Sequence, residues 1–457
     1  MPLKKLISSC ILILNCLVFS SNSFAQTEVV RISMDQALSK MYSVYYDINL
    51  LDKTIQQLDE FKTVKVAKML PSLDASGRFV YQQSKMSSKL PPLSYEYDKN
   101  YYRTNASIEI IQPLHFLRLS HEFKQAKFNK QVAEQQLDAL YMELKQSLVS
   151  LYWKAVVADQ IIDIYEKSLS TTSKHKETLE KNFSNRPIRN DIVRINSDIE
   201  MRKPYISRAI ADRDTAYRLI RFICNIPQDK KLILTTTTIP LFNPISISGS
   251  DTLIIKSHPK VEQWRLSESA FSYASKRENM EHLPKLEAFS TASSIDVSDI
   301  ELLNNSVSDT EDITSGIRFN WPIYTGGRIN ALALERGIEA NKSAVSFHKA
   351  EAEVSRDLYT FVDQFNAYLD VYKSEKIAVR LSKEYFELTQ KRFFAGQTTA
   401  FELNNAEFSF TLLKISRLNT QQKLVAISSS IDTIINHQKK SISWPEILDF
   451  KTKSTEL

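Results

Sequence analysis

Glycine is scarce here: seven residues in a chain of 457, a quarter of which is charged. So little glycine argues against an all-β fold and against a glycine-rich enzyme, and it suits long helices. Cysteine is scarcer. Cys10 and Cys16 fall in an N-terminal leader, which leaves Cys224 alone in the apolar "RFICNIP". No internal disulfide is then possible in the mature chain, and a buried, inert thiol is expected. Beyond the leader there is no run of the ~18 apolar residues that a membrane helix requires. If the chain crosses a membrane, it must do so as strands. The net charge of +6, two units of it from Lys4 and Lys5 in the leader, is too dilute to imply nucleic acid. Catalytic patterns are absent as well, with no Gly-x-Ser-x-Gly, no P-loop and no His-Glu-x-x-His. The seven histidines are scattered without metal-ligand spacing, and His115 and His121 read as packed or solvated side chains. No catalytic residue, cofactor site or metal site is expected.

What is present begins with residues 1–25, which have the form of a signal peptide. Lys4 and Lys5 precede an apolar stretch, and "SNSFA" sets small Ser23 and Ala25 where a signal peptidase reads. The mature chain should start near Gln26, outside the cytoplasm. Asn15 before Cys16 does not match a lipoprotein signal.

The rest is a duplicated unit. "LPSLDA" at Leu70 answers "LPKLEA" at Leu283, Pro113 answers Pro322, and "NDIVRIN" from Asn190 answers "FELNNAE" from Phe401, at separations of 213, 209 and 211 residues. The first copy spans 26–240 and the second 258–440, with a linker at 241–257 and a tail at 441–457. Each copy reads helix, strand, loop, strand, long helix, turn, helix.

Between Pro113 and Pro187, and again between Gly337 and Gly396, neither proline nor glycine interrupts the chain. Leu137, Leu140, Leu144, Leu148, Leu151, Ala155, Ala158, Ile162 and Tyr165 alternate steps of three and four, the seam of a coiled coil. Phe347, Ala350, Val354, Leu358, Phe361, Phe365, Tyr368 and Tyr372 repeat the pattern. A helix of about 65 residues is roughly 100 Å long, more than one globular core can cover. Return helices are expected over Pro187–Pro227 and Lys260–Leu283, a capping box at Ser33 and Gln36, and a kink at Pro204.

Four segments alternate with period two. Tyr102, Thr104, Ala106, Ile108 and Ile110 share one face, and Arg103, Asn105, Ser107 and Glu109 the other. Ile313, Ile317, Phe319 and Trp321 oppose Thr314, Gly316, Arg318 and Asn320 in the same way, and Leu73 to Tyr81 opposes Asp74, Ser76, Arg78 and Gln82. The strand after Pro284 is weaker, with Ser290 in its apolar face. Strands of roughly ten residues, with long polar loops at "SKMSSKLPPLSYEYDKN" and "SIDVSDIELLNNSVSDTE", suit a tilted outer-membrane barrel. Four strands cannot close on themselves, so several copies must build the barrel together. The expected fold class is an α+β membrane protein: a long α-helical coiled-coil barrel fused to a transmembrane β-barrel that several copies complete, four strands from each. Pro113, Pro322, Gly326 and Gly327 mark the barrel–tunnel junctions, where a strand ends and the chain turns into a long helix.

The "WPIYTGGR" junction, "SHP" at Ser257 to Pro259, and "RFFAGQTTAFELNNAE", in a duplicated context, resemble the TolC-like outer-membrane efflux proteins over nearly the whole mature chain. The resemblance implies a homotrimer with a twelve-stranded barrel and a tunnel of twelve helices through the periplasm. It further implies an equatorial belt built from the Asn225–His258 linker and the tail. Such proteins are non-catalytic exit ducts for inner-membrane transporters, reached through a periplasmic adaptor. The first copy departs from the pattern in "QPLHFLRLS", which has no glycine pair. The turns holding Asn185, Pro187, Gly396 and Thr398 are expected at the periplasmic tip, where an adaptor would dock. By resemblance Glu402 matches an acidic pore gate, with Asn405 one helical turn on and Asp191 at the matching place in the first copy. A solvated role for Glu402 stays open, as does a trimeric scaffold without a conducting pore.

Overall fold

Along the chain the described residues form β1 (Val29–Ile32), α1 (Met34–Val44), α2 (Tyr46–Ala67), β2 (Ser72–Leu90), β3 (Leu93–Pro113) and α3 (Phe116–Asn182). There follow α4 (Arg189–Ile223), β4 (Lys231–Leu234), α5 (Asp251–Lys256), α6 (Pro259–Asn279), a 3-10 turn (Met280–His282), β5 (Lys285–Asp299), β6 (Ser306–Asn320), α7 (Arg328–Phe394) and α8 (Ala400–Ile435). The computed structural model describes residues 29–90, 93–182, 189–238, 242–245, 251–299 and 306–436. The expected leader, Asn185, Pro187, part of the 241–257 linker and the tail 441–457 lie outside them.

These residues divide into two compact units. One is drawn from Met1–Asn49, Leu140–Ile255 and Val354–Leu457, the other from Leu50–Ala139 and Lys256–Glu353. The first is helical, with a small parallel pair of β1 and β4. Its core holds Met34, Leu38, Met41, Leu148, Tyr152, Trp153 and Ile220, all fully buried. The Ser33 hydroxyl accepts from Gln36 N–H while the Gln36 side chain accepts from Ser33 N–H, the reciprocal cap expected for α1. Cys224 is buried here, and burial pushes its thiol pKa up to about 12, which makes it inert.

Both long helices run 67 residues; α3 contains neither proline nor glycine, and α7 runs on through Gly337. In α3 the buried seam follows Leu144, Leu148, Ala155, Ala158, Ile162 and Tyr165. In α7 it departs at two steps. Ala350, Val354, Leu358 and Phe365 are buried as expected, but Val362 and Leu369 are buried where Phe361 and Tyr368 were expected, and Phe361, Tyr368 and Tyr372 are only half-buried. A straight α-helix drifts against a 3.5 repeat, and one step of four in place of three corrects the drift. Helix α4 continues through Pro204, which forfeits one backbone bond without ending the helix.

The second unit carries an antiparallel sheet in the order β2-β3-β5-β6. The strands run 19, 21, 15 and 15 residues, longer than the ten expected. Much of "SKMSSKLPPLSYEYDKN" is therefore not loop: Leu90 pairs with Leu93, and the β2–β3 ladder runs unbroken down to Ser72–Ile111. Polar strands with no core beneath them still satisfy their backbone through each other, which sequence alternation alone does not reveal. The register confirms the faces. Leu73, Ala75, Phe79 and Tyr81 stand opposite Ile110, Ile108, Thr104 and Tyr102, and Ile313, Ile317 and Phe319 opposite Ala292, Ala288 and Leu286. Ser290 joins Ser315 by a 2.8 Å hydroxyl bond, so the polar break in the β5 face is satisfied across the strands.

Candidate functional site

The junctions belong to the sheet-bearing unit. β3 ends at Pro113, which has no N–H to give, and Leu114 N–H closes the ladder on Leu286 O at 2.8 Å. α3 starts three residues past Pro113 without any residue at positive φ. The Gln112 amide bonds Met69 O at 3.1 Å and Pro113 O at 2.7 Å, and His115 Nδ1 lies 3.3 Å from Leu286 O. Side chains thus make the turn that glycine makes in the second copy. There β6 ends at Asn320, two residues before Pro322, and Gly326 and Gly327 take φ of +62° and +81°. Only glycine adopts that region without cost, and α7 begins at the next residue. Trp321 Nε1 bonds His282 O at 3.0 Å, while Ile323 and Tyr324 are exposed.

The turn of Gly396 and Thr398 belongs to the helical unit. Gly396, at φ +70°, ends α7: its N–H donates to Phe393 O at 2.9 Å and Gln397 N–H donates to Arg392 O at 2.9 Å, a Schellman closure. Three residues on, the Thr399 hydroxyl accepts from Glu402 N–H at 3.3 Å and opens α8. The Glu402 carboxylate takes the Thr398 hydroxyl and otherwise faces solvent. Asp191 occupies the first turn of α4, and both acids sit where a helix N-terminus favours negative charge. Asn405 is exposed and lines a groove of about 260 Å³ with Arg194, Asp198, Phe401 and Phe408. Arg194 lies over the Phe401 ring at 3.7 Å, a cation–π contact across α4 and α8.

Beneath the turn, Leu179, Ile195, Phe393, Ala400 and Leu403 form an apolar cluster. Below that lies a polar layer that no local sequence pattern foretells. Arg202 Nη1 lies 2.7 Å from Glu407 Oε2, with both side chains almost wholly buried. Arg202 also donates to Ser168 O at 3.1 Å, to Ser168 Oγ at 2.7 Å and to the Thr172 hydroxyl, and Thr411 donates to Glu407 Oε1 at 3.0 Å. His175 is buried beside them, its Nδ1 3.4 Å from Asn404 Oδ1 and its Nε2 without a partner. Burial holds the His175 pKa below the usual histidine range, aided by Arg202 and opposed by Asn404 and Glu407. Three helices, α3, α4 and α8, are thereby joined by charge as well as by packing.

No family model and no curated protein matches the chain. Solved structures do. A structure of CusC, titled for its transmembrane channel formation, covers 91% of this chain and 94% of its own, with a TM-score of 0.73 at 15% identity. The Campylobacter jejuni CmeC outer membrane channel covers 91% and 89%, with a TM-score of 0.75 at 12% identity. The open state of the Neisseria gonorrhoeae MtrE outer membrane channel covers 90% of each chain, with a TM-score of 0.74 at 14% identity. The chain has the TolC-like fold. In a TolC-like chain the four-stranded sheet is a share of a barrel, so its lack of closure is expected of one copy. No group of histidine, cysteine, aspartate or glutamate side chains able to hold a metal occurs among the described residues.

Proposed function

We propose that this chain is the outer-membrane duct of a tripartite efflux or type I secretion system, set in the outer membrane and extending into the periplasm. Three copies would close a twelve-stranded barrel, and a periplasmic adaptor would connect the duct to an inner-membrane transporter. One observation carries the reading: the sheet is open. Among the described residues β2 and β6 each pair on one side only, and one face of the sheet exposes Leu73, Phe79, Ile108, Ile313 and Ile317. Free edges are untenable in lipid and an exposed apolar face is untenable in water; closure with further copies pairs the edges, and lipid around the closed barrel covers the apolar face. The opposite face is charged, with Arg318 bonded to Glu109 at 3.0 Å across β5, and suits a water-filled lumen. The gate role of Glu402 and the docking role of the Gly396–Thr398 turn are part of this proposal.

Native mass spectrometry in detergent should give three chains, and the same material should conduct ions in a planar bilayer. Dimers or tetramers would overturn the assembly. Trimers that do not conduct would favour a scaffold anchored by its strands.

A further inference from the structure

At the foot of the sheet Lys124, exposed on α3, and Lys276, exposed on α6, both stand over the ring of Tyr273, at 5.3 and 5.0 Å from its centroid. Phe128 stacks on the same ring at 5.6 Å, and the His121 ring lies tilted to it at 5.8 Å. The nearby acids are engaged elsewhere. Glu122 holds Lys65 and Arg118, Glu281 holds Arg118 and Arg328, and Glu278 holds Arg277. Among the described residues Lys124 and Lys276 have no carboxylate partner. Two like charges gathered on one aromatic ring repel each other, and a shared anion would relieve that repulsion. The His121 pKa registers the field, since burial, Lys124 and Lys276 together hold it below the usual histidine range.

We propose that Lys124 and Lys276, flanking Tyr273, bind the phosphate of an anionic phospholipid headgroup. The proposal rests on the outer-membrane reading above, and position selects the ligand. Lys124 lies eight residues beyond Phe116, where α3 leaves the sheet, or roughly 12 Å along the helix. Lys276 stands nine residues before Lys285, where β5 begins. A bilayer's polar layer extends roughly 5–7 Å beyond each face of its hydrocarbon, and a lysine stem spans most of the remaining distance. Tyr273 is half-buried, with an aromatic body and a polar end of the kind found at membrane interfaces.

The test uses the full-length protein in detergent, titrated with phosphatidylglycerol, with phosphatidylcholine and with inorganic phosphate. Native mass spectrometry should show phosphatidylglycerol retained about tenfold more tightly than phosphatidylcholine, the scale expected of one or two lysines at an anionic headgroup. Lys124→Gln with Lys276→Gln should abolish that preference, and Lys124→Arg with Lys276→Arg should keep it. In unsubstituted protein carrying labelled histidine, phosphatidylglycerol should raise the pH at which His121 titrates, a readout that needs no variant to fold. Equal retention of the two lipids, an unchanged preference in the glutamine variant, or an unmoved His121 would overturn the site. Inorganic phosphate acting as well as phosphatidylglycerol would make it a free-anion site and overturn the lipid assignment. Conductance measured on the same material separates the readings: headgroup binding without conductance fails the duct alone, and conductance without headgroup binding fails the site alone.

Discussion

Arg202 and Glu407 show how much a single side chain decides beneath the α7–α8 turn. Glu407→Ala would leave the Arg202 guanidinium buried without its counter-charge, at a cost of about 3–5 kcal/mol, whereas Arg202→Met with Glu407→Leu removes both charges and should be nearly neutral. Thermal unfolding of the two variants checks this, and equal losses would show that the pair is not acting as a unit. His175 adds a pH dependence. Its folded pKa is depressed below the ordinary 6.5, so below that pH the unfolded chain takes up a proton that the folded chain refuses. Stability should therefore fall as pH drops from about 6.5 toward the depressed folded value. His175→Gln should flatten that slope in melting temperatures recorded against pH, and an unaltered slope would assign it to other groups. None of this was legible in "MRKPYISR" or "FELNNAE", because a charge on a helix reads as solvated until its neighbours are known.

At the scale of elements, the strand faces were legible and the strand lengths were not. Period-two alternation sorts Ile313 from Thr314 whatever the strand pairs with, but where a polar strand stops depends on its partner's backbone. The faces give a paired prediction. Ile313→Lys places a charge on the apolar face and should cost about 2–4 kcal/mol if lipid covers it, while Thr314→Lys on the opposite face should cost little. Comparing the two in urea-dependent refolding into bilayers checks this, and equal effects would reverse the assignment of faces. The long helices were legible to within a few residues, since nothing in them breaks a helix. The slip from Phe361 to Val362 was not, because it follows from helices packing against one another.

For the molecule as a whole, assembly would multiply whatever one chain presents. Three copies of Glu402 would ring the periplasmic mouth, and Glu402→Gln should then lower cation selectivity and weaken block by multivalent cations without changing trimer stability. Single-channel recordings decide this. Identical selectivity and block in the variant would leave Glu402 as a solvated helix-face glutamate bonded to Thr398, and Asp191→Asn would be tested next. The sequence by itself determined the two long helices, the alternating strands and the glycine-made turn before α7, since each is written in local spacing or in residues that restrict the backbone. Only the tertiary structure decided that β3 pairs with β5 across the two copies, that Arg202 is buried against Glu407, and that Lys124 and Lys276 meet on one tyrosine ring. Lys276 reaches Tyr273 from three positions along the same helix, but the other contacts join residues about 150 to 200 positions apart, and no local pattern encodes which distant segments the folded chain brings together.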